Sequence, residues 1–146
     1  MAAGLTIRAE KLREFRNAFE GVVTQMTCPE DWMPKLTIDA EIELGDITEN
    51  LIDEIEKLSP FGTGNPEPMF AARNVRVVSS KMVGKNHRKM VLVQGADPGA
   101  KPAFAIRFNA EGPMLSQTSF TRIAFRLRWN RWNNNRTIQL IVEDAV

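Results

Sequence analysis

Three arginines in the segment 118–130 have the spacing of a polyanion-binding strand. Arg122, Arg126 and Arg128 occupy one phase of an alternating pattern whose other phase is apolar. Successive residues of a β-strand point to opposite faces, so one face packs and the other carries guanidinium groups. Same-face residues repeat about every 6.5 to 7 Å, and arginine grips phosphates and stacks on bases. The pattern favours single-stranded nucleic acid over the alternative, a merely solvated face.

A second basic cluster surrounds a predicted turn at 84–87, where a loop could extend over a ligand. His87, the only histidine, is predicted to be solvated or to contact phosphate rather than a metal. Trp129 lies on the apolar phase and is predicted to be core, whereas for Trp132 base stacking and hairpin packing are equally favoured. The complete predicted nucleic-acid site is Arg73, Arg76, Lys81, Lys85, His87, Arg88, Lys89, Arg107, Arg122, Arg126, Arg128, Arg131 and Trp132.

The residues that catalysis would need are missing from the sequence. There is no pairing of a nucleophile with a base, and Gly62 and Gly64 are not followed by the Gly-Lys-Ser/Thr of a phosphate-binding loop. The single cysteine, Cys28, has no Cys/His partners for a zinc site. We therefore predict no catalytic residue, no metal ligand and no cofactor in this chain.

The basic residues are carried by a predicted all-β second half. Five strands are expected, at 69–82, 88–95, 103–109, 118–130 and 136–143, and only a helical stub fits between the third and fourth. Asparagines 133 to 135 suit the last hairpin because asparagine tolerates positive φ. This pattern favours a five-stranded Greek-key barrel of the oligonucleotide-binding (OB) type. SH3-like barrels and small sandwiches have similar strand counts.

The first half is predicted to be a helical lead-in with one extra strand. Apolar spacing predicts an amphipathic helix over 7–27, followed by a loop at 29–34 in which Trp32 is a packing anchor. Period-two alternation predicts a strand over 36–44 with an acidic outer face. A second helix is expected to about Leu58, with Asp46 and Glu49 as its capping box. The Pro/Gly-rich segment 59–68 is neither helix nor strand.

Charge is distributed unevenly along the chain. Residues 1–68 have six Lys/Arg and fourteen Asp/Glu, a net charge of −8, whereas residues 69–146 have thirteen and four, a net charge of +9. A basic second half is typical of polyanion binding, and solubility charge is the alternative. No apolar run is long enough to span a membrane and no signal pattern is present. We expect a cytoplasmic protein without membrane contact.

The segment 59–68, Ser-Pro-Phe-Gly-Thr-Gly-Asn-Pro-Glu-Pro, with Phe70, resembles the Pro-Phe-Gly-x-Gly-Asn-Pro-x-Pro signature of RecJ-type exonucleases. Residues 2–7 and the first helix resemble the tail of the DHHA1 domain in this family, where a fuller motif begins Gly-Gly-His. The segments 36–41 and 130–133 also resemble family segments in the right order. Asn134 and Asn135 depart from the family, which commonly has a glycine in the last turn.

The resemblance implies three parts: a DHHA1-like tail at 1–28, a connecting segment at 29–68 and an OB-type barrel at 69–146. It also implies a parent enzyme that degrades single-stranded DNA from its 5′ end in DNA repair and recombination, using Mg²⁺ or Mn²⁺ held by an Asp-His-His-containing domain. This chain has no Asp-His-His, so the metal ligands are expected upstream of Met1 and the fragment alone is expected to be inactive.

We therefore predict a single-stranded-DNA-binding module that grips and guides the strand with little sequence preference. The implied partners are single-stranded DNA, the upstream DHH and DHHA1 domains, and a single-stranded-DNA-binding protein or other repair proteins. The alternative is a protein-interaction or bracing domain of the same enzyme with little DNA affinity of its own. The apolar face of the first helix is expected to have packed against upstream structure.

Overall fold

A computed structural model describes residues 4–28, 35–96 and 99–146, apart from the side chain of Trp132. The predicted loop at 29–34 with Trp32, and residues 97–98 of a predicted turn, lie outside the described residues. The chain forms two compact units, one up to Leu36 and one from Thr37 to Val146. The three-part division inferred from the family resemblance stays a prediction.

The first unit contains helix α1, Leu12–Met26, preceded by a 3-10 turn at Ala9–Lys11. The apolar spacing places Phe15 and Phe19 one turn apart, and their rings stack with centroids 5.6 Å apart. Phe19, Val22 and Met26 are exposed within the described residues. The predicted amphipathic helix is confirmed.

The second unit is built on one sheet. A short strand β1, Ala40–Glu41, precedes five longer strands, each within two residues of its predicted ends: β2 (Phe70–Val83), β3 (His87–Gln94), β4 (Ala103–Arg107), β5 (Ser119–Trp132) and β6 (Asn135–Ala145). The predicted stub between β4 and β5 is a 3-10 turn at Gly112–Leu115. The prediction of five strands is confirmed.

The strand order closes the sheet into a barrel. Neighbours follow β1-β2-β3-β4-β6-β5, and β2 also pairs with β5. All pairings among β2 to β6 are antiparallel except that of β4 with β6, which is parallel. This arrangement is the five-stranded OB-type Greek-key barrel that the sequence predicted. The alternative strand architectures are excluded.

Two turns show why the hairpins form where they do. Asn133 and Asn134 have φ of 49° and 63°, and the flanking residues Trp132 and Asn135 pair directly. Two consecutive positive-φ residues match the right-handed twist of the strands they join. Gly84, with φ of 64°, opens the three-residue loop between Val83 and His87.

The connecting segment packs onto the barrel but differs from its prediction in two respects. The strand predicted over 36–44 is only the two residues of β1, which pair in parallel with the start of β2. Helix α2, Glu49–Lys57, is capped by the Thr48 hydroxyl, which accepts a hydrogen bond from the backbone N–H of Leu51. The predicted Asp46 cap is wrong because Asp46 ends a 3-10 turn, Leu44–Asp46.

One hydrophobic core holds the connecting segment and the barrel together. Leu44, Ile47, Ile52 and Ile55 of the connecting segment belong to the same buried cluster as the inward residues of the strands. Burial of apolar surface contributes roughly 25 cal/mol per Å², so four such side chains are a substantial part of the stability of this unit.

Candidate nucleic-acid interface

Strand β5 alternates as predicted. Ile123, Phe125, Leu127 and Trp129 are buried in the core, whereas Arg122, Arg126 and Arg128 occupy the opposite phase of the strand. These three residues are called the arginine ladder below. The sequence pattern therefore predicted correctly which face of β5 carries the guanidinium groups.

Carboxylate side chains form ion pairs with the arginine ladder. Arg128 donates two hydrogen bonds to Glu67, from Nε to Oε1 at 2.7 Å and from Nη2 to Oε2 at 2.5 Å. Arg126 donates to Glu143 at 2.7 Å and lies 3.7 Å from Glu67. The hydrogen bond with Glu67 raises the pKa of Arg128. These guanidinium groups already have anionic partners within the protein.

The start of the ladder is neutralised by β1. Glu41 accepts a hydrogen bond from Arg73 Nε at 2.5 Å and lies 3.4 Å from Arg122. The hydrogen bond from Arg73 lowers the pKa of Glu41, and the two nearby positive charges act in the same direction. The acidic face predicted for this strand is therefore directed at the arginines and not only at solvent.

Helix α2 supplies further carboxylates that contact β5 of the barrel. Glu56 accepts from Arg131 at 2.9 Å, and Asp53 accepts from the indole N–H of Trp129 at 2.9 Å. Trp129 is buried, as predicted, and Arg136 lies 4.3 Å from its ring centroid. Acidic residues of the connecting segment thus pair with arginines of the barrel, although the two sets are segregated along the chain.

Two predicted site residues are engaged in internal hydrogen bonds. Arg88 is only 2% exposed, and it donates to the carbonyls of Met114 and Gln117 and to the Ser80 hydroxyl. Burial lowers its pKa. Arg88 was predicted to contact nucleic acid as part of the basic cluster around the first hairpin. It is buried instead, because its side chain turns into the barrel and holds the 3-10 turn.

Arg107 also bonds to the backbone. Its Nη1 donates to the carbonyl of Val142 at 3.0 Å and to that of Glu143. The side chain therefore fastens β4 to β6 beyond the last residues that pair these two strands. Part of the hydrogen-bonding capacity of this guanidinium is therefore used within the protein.

A different surface keeps its positive charge. Lys81 of β2 and Lys89 of β3 are directly opposite each other, and neither forms an ion pair with any residue that the structure describes. Opposed like charges on one sheet face are unfavourable in an unliganded fold. An anion between them would remove that repulsion.

The two lysines border an open cavity of about 510 Å³, called the lysine groove below. Val91 lies two residues after Lys89 and opposite Phe104, so the register puts Phe104 on the same sheet face as the lysines. Phe104 is 54% exposed. The lining also includes five uncharged polar residues: Ser79, Ser80, Asn130, Thr137 and Gln139.

Both lysines belong to the site predicted from the sequence, but Phe104 does not. The sequence carried no signal for it, because Phe104 and Ile106 share one phase of the strand and only the structure shows that Ala103 and Ala105 of the other phase pack on the core. An outward aromatic beside free cations is the combination that stacks bases and holds phosphates.

A comparison with protein-family models finds a match to the RecJ OB domain over residues 38–144. The chain belongs to this family. It is also 30% identical over 147 residues to the single-stranded-DNA-specific exonuclease RecJ of Bacillus subtilis (strain 168), covering 99% of this chain and 18% of that protein. The corresponding exonuclease of Haemophilus influenzae is 29% identical, with 98% of this chain and 25% of that protein covered.

The fold of this RecJ OB chain is similar to a solved structure of RecJ in complex with Mg²⁺ from Thermus thermophilus. The TM-score is 0.72 at 16% sequence identity, covering 96% of this chain and 21% of that one. The chain thus spans between about a fifth and a quarter of the length of these relatives. This likeness supports the barrel and its helical lead-in.

The remaining predicted site residues of the RecJ OB chain are less closely grouped. Lys85 lies in the β2–β3 turn, and His87 follows it with its ring 5.2 Å from that of Phe108. The backbone N–H of Asn109 donates to His87 Nδ1. Arg76 is exposed on β2. The side chain of Trp132 lies outside what the structure describes.

A divalent metal is implied by the family resemblance. Among residues 4–28, 35–96 and 99–146, no three His, Cys, Asp or Glu side chains are grouped so that they could hold a metal ion. The described residues therefore do not fit a divalent metal ion. No helix in the described ranges is long and apolar enough to cross a membrane.

Proposed function

We propose that this chain binds single-stranded DNA in the lysine groove and guides it as the OB module of a longer 5′-to-3′ exonuclease. The observation that carries the proposal is the pair of uncompensated lysines, Lys81 and Lys89, beside the exposed ring of Phe104. Lysines supply affinity for the phosphates, and an exposed aromatic ring stacks any base, so the binding is largely independent of sequence.

Binding of a phosphate should be more favourable in the lysine groove than on the arginine ladder. A phosphate approaching Arg128 has to displace the two hydrogen bonds from Glu67, and Glu67 itself repels the phosphate. A phosphate approaching Lys89 displaces only water. The arginine ladder therefore contributes only weakly to DNA binding, through long-range attraction, and the same holds for Arg73 and Arg131. Lys81, Lys85 and Lys89 make the main contacts.

The activity of the parent enzyme is part of the same proposal. The relatives are named as single-stranded-DNA-specific exonucleases, and one RecJ structure holds Mg²⁺. We infer that Mg²⁺ or Mn²⁺ acts in a domain outside these 146 residues, in cytoplasmic DNA repair and recombination. This chain then presents the strand to that domain.

Fluorescence anisotropy with labelled oligo-dT tests the proposal. The double variant Lys81→Gln/Lys89→Gln should bind on the order of a hundredfold more weakly at low salt, taking about 1.5 kcal/mol for each charge-assisted contact. The slope of log affinity against log salt should fall by about 1.4, since each phosphate contact on a single strand contributes about 0.7.

The matched control is Lys11→Gln/Lys57→Gln, which makes the same change in net charge. Both of these lysines are exposed and sit in i,i+3 ion pairs, with Glu14 and Glu54 respectively. The control should bind oligo-dT like the original chain. Equal losses in the two double variants would show that net charge, and not the groove, determines binding.

The alternative function is a protein-interaction or bracing domain. The acidic helix α2 is poorly suited to recruit a basic partner, because Glu56, Asp53 and Glu49 are already paired with Arg131 and Arg136 of the barrel. An unmodified chain with no affinity for oligo-dT at low salt would favour this alternative.

A further inference from the structure

A second cavity, of about 390 Å³, adjoins the lysine groove. Its apolar lining includes Leu44 and Ile47 of the connecting segment and Leu140 of β6, all of which belong to the buried core. Its charged lining consists of Lys101, Arg136 and Glu49, and Arg136 is paired with Glu49 at 3.4 Å. The cavity therefore combines an apolar lining that reaches the core with one lysine, Lys101, that has no ion pair among the described residues.

The cavity exists because two strands diverge. Pairing between β4 and β6 is limited, within the described residues, to Ala105 with Leu140 and Ile106 with Ile141. Ahead of these pairs, Ala103 and Phe104 bond to β3 on their other edge, and residues 137–139 bond to β5 on theirs. The edges of β4 and β6 that face each other there have no partner strand among the described residues.

The two cavities adjoin at β4 and β6. Phe104 and Thr137 line both of them. A single strand that crosses the exposed side chain of Phe104 would therefore contact both cavities.

We propose that the second cavity is a subsite for one unstacked nucleobase of a single strand whose phosphates lie in the lysine groove. This inference rests on the proposed function and adds a base-binding position to it. The apolar lining receives the ring face of the base, and the unpaired backbone edges supply donors and acceptors for its polar edge. Lys101, which has no ion pair among the described residues, faces the adjoining phosphate.

The dimensions favour a base over a peptide. A peptide that adds a strand needs a long open edge with alternating side-chain pockets, whereas here the unpaired stretch covers only Ala103 and Phe104 of β4 and the residues 137–139 of β6. The uncompensated lysines next to it also favour a phosphate-linked ligand.

A length series of oligo-dT, from about 3 to 12 nucleotides within the usual range of an OB fold, tests this subsite by anisotropy. Affinity should rise by roughly tenfold at the length that first places a base beyond Phe104. Ala103→Leu, which fills the cavity at a half-buried position, should remove that rise and leave the affinity of shorter oligonucleotides unchanged.

A second measurement uses the unmodified chain and so does not depend on whether Ala103→Leu folds. The shortest oligonucleotide that shows the rise is prepared with an abasic nucleotide at each end in turn. The subsite predicts that removal of one terminal base abolishes the rise.

If both abasic oligonucleotides keep the rise, the gain comes from phosphates, and the subsite is disproved while the lysine groove survives. An unaltered length dependence in a folded Ala103→Leu variant has the same meaning. Failure of every length to bind would disprove the proposed function as well.

Discussion

The arginine ladder and the lysine groove are both basic, but only one of them is electrostatically open. Arg126 and Arg128 each have a carboxylate within 2.7 Å, whereas Lys81 and Lys89 face each other without an acidic neighbour in the described chain. The difference shows that a row of like-charged residues in a sequence does not identify a binding surface. What matters is whether the rest of the fold supplies the opposite charge.

The largest effect of a single substitution should separate the aromatic part of the groove from the rest of the surface. Phe104→Ala should weaken oligo-dT binding by roughly tenfold, since one stacked base contributes about 1 to 3 kcal/mol. The control is Phe108→Ala, which removes another exposed phenylalanine, 46% exposed, that does not line the groove. Anisotropy at fixed salt checks both variants, and similar losses in the two would contradict the assignment of Phe104.

A substitution in the arginine ladder should change the stability of the fold more than the affinity for DNA. Arg128→Gln should lower the free energy of unfolding by about 1 kcal/mol, the upper range for an ion pair with one exposed partner. Its affinity for oligo-dT should change by less than about twofold, because its charge is already compensated. Urea unfolding and anisotropy on the same protein provide the two readings. Strong loss of DNA binding would restore the ladder as the interface.

The opposite result is expected in the groove. Lys89→Gln should leave the unfolding free energy unchanged or raise it by a few tenths of a kcal/mol, roughly the size of one cross-strand pair, because it removes the repulsion with Lys81. Its affinity for oligo-dT should nevertheless fall. If Lys89→Gln destabilises the chain as much as Arg128→Gln does, the contrast between the two surfaces is lost.

The smallest effect should appear in acid. The folded pKa of Glu41 lies below its ordinary value of 4.5, so its ion pairs stabilise the fold above that value and are lost as the pH falls through the folded pKa. Glu41→Gln should therefore show a weaker decline in stability between neutral and acidic pH. Urea unfolding at about pH 7 and about pH 3, on either side of the carboxylate titration, measures this, and identical declines in both proteins would argue against the pairing of Glu41 with Arg73.

The alternation in β5 and the asparagines of the last hairpin were readable from the sequence, since both depend on neighbours along the chain. The cap of α2 was misassigned because Asp46 and Thr48 are both suitable cap residues, and the preceding 3-10 turn decided between them. The neutralisation of the arginine ladder by carboxylates could not be predicted from the sequence. Arg128 and Glu67 are 61 residues apart, and Arg131 and Glu56 are 75 apart, so only the closed fold brings them together.

The packing of the connecting segment against the barrel has a consequence for how short this module can be. A chain that began at Met69 would lose Leu44, Ile47, Ile52 and Ile55 from its interior. It would also lose Glu41 and Glu67 from the arginine ladder and keep only the ion pair of Arg126 with Glu143. Such a truncated barrel should both unfold more readily and adhere to polyanions indiscriminately. The carboxylates of residues 41–67 thus neutralise barrel arginines that would otherwise attract polyanions.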